Sequence, residues 1–98
     1  MTGIIWGKTT KSANQQFEII LQNYERMGIE CIKCINSIIR REAIFKNGDF
    51  WLAISANESS RGHKCDVSYI DREIESRVVC EVIEPCTCGN LFSARNYF

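Results

Sequence analysis

Residues 47–74 read NGDFWLAISANESSRGHKCDVSYIDREI, and their order of turn, apolar run, polar loop and second apolar run decides the fold. Asn47-Gly48 is a short hairpin signal, because the tight two-residue turn asks for positive φ at both central positions. It makes residues 38–45 and 49–55 neighbouring antiparallel strands. Within the second, FWLAI (residues 50–54) is apolar without alternation, the mark of a strand covered on both faces. Residues 56–64 (ANESSRGHK) form a polar loop, and residues 67–70 a short strand that runs into Asp71.

Toward the amino terminus, residues 3–6 (GIIW) are a short apolar run ending at Gly7, which predicts a buried first strand. A helix follows. Ser12 is placed to cap it, with Gln15 three residues on as the capping-box partner. Ala13, Phe17, Ile20, Leu21, Tyr24 and Met27 recur at helical spacing, and Gly28 supplies the left-handed stop. Residues 29–35 alternate as a strand. Toward the carboxyl terminus, Ile74, Val78, Val82 and Ile83 have helical spacing closed by Pro85, although residues 77–83 also fit a strand. Residues 86–98 mix turn residues with aromatics and read as a docked tail. The prediction is one α/β (or α+β) domain over residues 1–98, a small central sheet of about five strands with two helices packed on it. Trp6, Trp51, Phe17, Phe45 and Phe50 are its expected core aromatics.

Bulk composition narrows the function. Lys plus Arg and Asp plus Glu are both 12, so the formal net charge is zero. A general nucleic-acid binder carries a basic excess, and net charge does not indicate one here. Neutrality also removes repulsion between copies, so a protein partner or a homodimer is expected. No run of about 18 apolar residues exists, and no membrane span is expected. Residues 1–7 lack the basic flank and long apolar stretch of a secretory signal. The expected setting is cytoplasmic, with the six cysteines kept as thiols.

The Asn-Gly hairpin, the apolar strand, the loop carrying Ser60-Arg61-Gly62, and the strand running through Asp66 to Asp71 together resemble the ATPase core of phage terminase large subunits and related helicase-like P-loop enzymes. Gly7-Lys8-Thr9, between an apolar strand and a helix, is similar to the end of a Walker A loop, and Val82-Ile83-Glu84-Pro85 to the segment after Walker B. The resemblance covers about half the chain. It implies nucleotide binding by Gly7, Lys8, Thr9 and Asp71: Lys8 on β/γ-phosphates, Thr9 and Asp71 on magnesium, with ATP as ligand. Three residues, not four, separate Gly3 from Gly7, and Asp71 is followed by Arg72 instead of Glu. Hydrolysis is therefore not expected, and a small phage or mobile-element binding protein is.

Each candidate has a plainer alternative. Lys8 and Thr9 also suit a polar strand-to-helix turn, and Asp71 suits a cap on a helix from Arg72. Arg61 and His63 would contact an anion or a partner, or lie in a solvated loop. Cys31-x-x-Cys34 has zinc-like spacing, but residues three apart on a regular strand face opposite sides and cannot share an ion. Cys86 and Cys88 are then the expected zinc ligands, if the thiols bind metal at all. The chain reads as a non-enzymatic binding module. Its alternatives are a nucleotide-binding subunit related to DNA-packaging terminases and a zinc-stabilised interaction module.

Overall fold

The computed structural model describes residues 1–37, 40–57, 62–87 and 95–98. Strand β1 (Thr2–Gly7) leads into helix α1 (Thr10–Arg26), followed by β2 (Cys31–Asn36), β3 (Arg41–Phe45), β4 (Phe50–Ser55) and β5 (Val67–Ile70). A helical run follows, made of α2 (Ser76–Val78), a π turn (Val79–Ile83) and α3 (Glu84–Cys86), and the described chain ends with β6 (Arg95–Tyr97). The strands form one mixed sheet in the order β2-β3-β4-β1-β5-β6. β1 lies parallel to both β4 and β5, β6 is parallel to β5, and β3 runs antiparallel to β2 and β4. The α/β expectation holds with six described strands instead of about five; the carboxyl-terminal tail supplies the extra one.

The apolar runs read as they do because β1 and β4 are covered on both faces. Ile5, Trp51 and Ala53 pack under α1 with Ala13, Phe17, Ile20 and Tyr24. Ile4, Trp6, Leu52 and Ile54 face the helical run, against Ile70, Val82 and Ile83. α1 reaches as far as Phe45 of β3, and neither helical layer reaches β2. Every residue of β2 is exposed, including Ile32 at 60% and Ile35 at 40%. Phe50 is half-buried against the second layer, the other four core aromatics are buried, and Met27 is exposed.

Local corrections have local causes. α1 starts one turn earlier than expected. Thr9 is its cap, with Thr9 Oγ1 accepting the Ser12 N–H at 3.1 Å and Ser12 Oγ accepting the Thr9 N–H at 3.2 Å. Ser12 is thus the reciprocal partner in the capping box, not the cap. The Asn47-Gly48 hairpin exists, but only Gly48 has positive φ (95°). The Gly48 N–H donates to the Phe45 carbonyl and the Phe45 N–H to the Asp49 carbonyl, both at 2.9 Å, so the loop has three residues and one left-handed position. The second helix does not begin at Arg72 and does not stop at Pro85. It starts at Ser76 and runs through the π turn to Cys86, one residue past Pro85.

A buried polar chain ties the second layer to the sheet. Trp6 Nε1–H donates to Ser68 Oγ at 3.1 Å, Ser68 lies 2.8 Å from Thr87 Oγ1, and Thr87 Oγ1 donates to the Ile83 carbonyl at 3.1 Å. The single Thr87 hydroxyl proton goes to Ile83, so Ser68 is the donor to Thr87 and accepts from Trp6. Among the described residues, no helix is long and apolar enough to cross a membrane.

Candidate functional site at the carboxyl edge of the parallel strands

β1, β4 and β5 are parallel neighbours, so their carboxyl ends open onto one edge, where open α/β sheets place ligands. Gly7, Lys8 and Thr9 leave β1 there, Ser55 and Ala56 end β4, and Asp71 follows β5. Trp6 is in register with Ile70 and Gly7 with Ser55. The Asp71 N–H also continues the pairing by donating to the Trp6 carbonyl at 2.9 Å. Three of the four residues expected to bind nucleotide come from one turn, and the fold brings the fourth beside them.

The contact is specific. The Lys8 backbone N–H donates to Asp71 Oδ2 at 2.9 Å, and the Glu73 N–H donates to Asp71 Oδ1 at 3.0 Å. Asp71 therefore does not cap a helix: its carboxylate pins the turn after β1 to the turn after β5. Burial pushes the Asp71 carboxyl up, but the Glu73 and Lys8 amides, the Ser12 hydroxyl and the Lys8 charge outweigh it and hold it below the ordinary carboxylate range. Gly7 has a packing role. A β-carbon there would lie 2.5 Å from both Ala13 N and Thr9 O, so only glycine lets α1 fold back this closely.

Two clefts meet at this edge, and Ile74 lines both. One, of about 250 Å³, is bordered by Lys8, Asn57, Glu75 and Arg77. The other, of about 420 Å³, is bordered by Asp71, Arg72, Cys80 and Glu84. Pockets that hold whole small-molecule ligands span roughly 300–1,000 Å³. The cleft beside Lys8 falls below that range, the size of a phosphate group with part of a sugar.

Other expected residues lie elsewhere. His63 precedes the amino end of β5, at the opposite edge, in a separate cleft with Lys64, Glu81 and Cys86. Arg61 lies outside the described residues. Cys86 is buried, its carbonyl accepting the Cys65 N–H at 2.8 Å, and Cys88 lies outside the described residues. Among the described residues no group of three or more His, Cys, Asp or Glu is arranged to hold a metal ion.

The reading of Cys31 and Cys34 as facing opposite sides is overturned. The pairing shifts between Cys31 and Lys33: Cys31 lies opposite Phe45 and Cys34 opposite Ala43. Phe45 and Ala43 both point to the α1 side, so the bulge carries both thiols to that face, where they line one cleft with Leu21, Ile29 and Phe45. A bulge leaves no mark in the spacing of Glu30-Cys31-Ile32-Lys33-Cys34, so alternation alone gave the wrong side.

Comparison with protein-family models, with curated proteins and with solved structures finds no match to this chain.

Proposed function

We propose that the chain is a non-catalytic binding module that takes the phosphate groups of a nucleotide at the carboxyl edge of its parallel strands, through Lys8, Thr9 and Asp71. The observation that carries this reading is the meeting of the Gly7–Lys8–Thr9 turn with Asp71, through the Lys8 N–H at 2.9 Å from Asp71 Oδ2. A cation and an ionised carboxylate then border one open edge, as a magnesium–phosphate ligand requires. The cleft beside Lys8, of about 250 Å³, suits phosphate rather than base. Binding is coupled to a local change: magnesium would draw Asp71 off the Lys8 amide and leave that donor for a phosphate oxygen. Catalysis is not part of the proposal, because Arg72 follows Asp71 and Glu73 is exposed to solvent. The terminase resemblance makes a phage or mobile-element setting the natural one for such a module.

The test is thermal unfolding with ATP, with and without magnesium, on the wild type and on Lys8→Ala. Ligand at ten times its dissociation constant adds about 1.4 kcal/mol. For a domain of this size that raises Tm by about 6 °C. A magnesium-dependent rise that Lys8→Ala abolishes supports the reading. No shift at millimolar nucleotide sinks it.

A second reading, contact with a protein through the β2 end of the sheet, is favoured by the exposure of Ile32 and Ile35 on an edge strand that no helix covers. Sedimentation of the purified chain tests its simplest form, a homodimer.

A further inference from the structure

Outside that edge, Cys31 and Cys34 are exposed thiols that line one cleft. We propose that Cys31 and Cys34 form a two-thiolate site for a soft monovalent cation of the copper(I) class, seated in the cleft between α1 and β2.

Geometry selects this chemistry over its rivals. The partners of the two cysteines, Phe45 and Ala43, are two residues apart on β3. At about 3.4 Å rise per residue, the two α-carbons are then about 6.8 Å apart. Disulfides have α-carbons at roughly 4.4–6.8 Å, most often about 5.5–6 Å, so a direct bond would lie at the far end of that range. Two sulfurs that share an ion stand farther apart than two bonded sulfurs, which suits a pair at that limit lining one cleft. Zinc and harder ions ask for four or more donors. Among the described residues no group of three or more His, Cys, Asp or Glu offers itself to a metal. Thiolate sulfur selects copper(I) among the soft ions, and two such ligands complete a linear coordination.

Both thiols are exposed and their present hydrogen bonds are weak, so nothing firm must be broken. Cys31 Sγ donates to the Lys33 carbonyl at 3.4 Å and Cys34 Sγ to Asn36 Oδ1 at 3.9 Å. Burial and then the neighbouring Cys31 push the Cys34 thiol up. Arg41 opposes the rise and Glu18 adds to it, while Glu25 and Glu30 border the same cleft with negative charge. Binding forms two Cu–S bonds and releases one proton from each thiol to solvent, so affinity rises with pH up to the thiol range.

The experiment titrates the reduced full chain, without oxygen, against copper(I) held by bicinchoninate. The wild type is expected to withdraw one equivalent. Cys31→Ser and Cys34→Ser are each expected to weaken uptake at least tenfold, and Cys80→Ser, which removes a lone exposed thiol, is expected to leave it unchanged. On the wild type itself, one equivalent of copper(I) is expected to shield both Cys31 and Cys34 from iodoacetamide, read by mass spectrometry. No withdrawal by the wild type, uptake that survives either single substitution, or alkylation of either cysteine undiminished by copper would each overturn the proposal.

Discussion

The carboxylate of Asp71 holds the backbone amide of Lys8 at 2.9 Å, joining two turns that are 63 residues apart in sequence. It also takes the Glu73 amide. One side chain thereby ties the turn after β1 to the turn after β5, and the proposed ligand edge rests on it.

Asp71→Ala should leave two amides without their acceptor and lower stability by about 2–3 kcal/mol, measured by urea unfolding at pH 7. Asp71→Asn, which keeps one acceptor oxygen, should cost less. The folded carboxyl is held below its unfolded value, so its contribution is complete above about pH 4 and disappears as pH falls through the lower folded value. The gap between wild type and Asp71→Asn should therefore narrow below pH 4. A gap that stays constant down to pH 2.5 would show that the ionised form is not what holds the turns.

Tyr24 donates to Asp49 Oδ2 at 2.6 Å and accepts from Trp51 Nε1–H at 2.8 Å, linking α1 to the hairpin turn and to β4. Burial first, and the hydrogen bond to Asp49 second, push its pKa from 10.0 up to about 12. The folded state thus holds the phenolic proton more tightly. Its contribution is complete below pH 10 and declines as pH rises toward 12. Tyr24→Phe should cost about 1–2 kcal/mol at neutral pH. Its deficit relative to wild type should shrink between pH 10 and pH 12, followed by denaturant midpoints across that range.

Ser68 has 0% exposure and stands between the Trp6 indole and Thr87. Ser68→Ala strands a buried N–H and removes the Thr87 donor, and should cost about 2 kcal/mol. Ser76→Ala, in the first turn of α2, serves as a comparison and should change stability by about 0.5 kcal/mol or less. Equal costs at the two sites would mean that the buried chain contributes nothing special.

Gly7→Ala places a methyl against backbone atoms of Thr9 and Ala13, which cannot step aside without moving α1. The expected loss is about 1–3 kcal/mol, with α1 displaced from the β1 end. A neutral result in urea unfolding would contradict the close packing described here.

Thr9 contributes to stability through the helix end. Thr9→Ala should cost about 1 kcal/mol by removing the cap on Ser12 N–H. Thr9→Ser, which keeps the hydroxyl, should cost little, as thermal unfolding of the pair will show.

Much of the architecture was legible because its causes are local. The apolar runs at Ile4–Ile5–Trp6 and Trp51–Leu52–Ala53–Ile54, the spacing of Ala13, Phe17, Ile20 and Tyr24, and the left-handed Gly28 (φ 74°) depend on near neighbours in sequence. The site was half legible. Lys8, Thr9 and Asp71 stood out by residue type and position relative to strand ends. Their meeting depended on β5 pairing directly beside β1, and the partner of the Asp71 carboxylate proved to be a backbone amide, which residue identities do not encode. Cys31 and Cys34 went the other way: spacing and alternation put them on opposite faces, and a one-residue slip in pairing with β3 put them on the same one. Periodicity along a chain is set by bond geometry and needs no partner. Register, and the face each side chain finally takes, is set by hydrogen bonds to another strand, and these exist only once the sheet has formed.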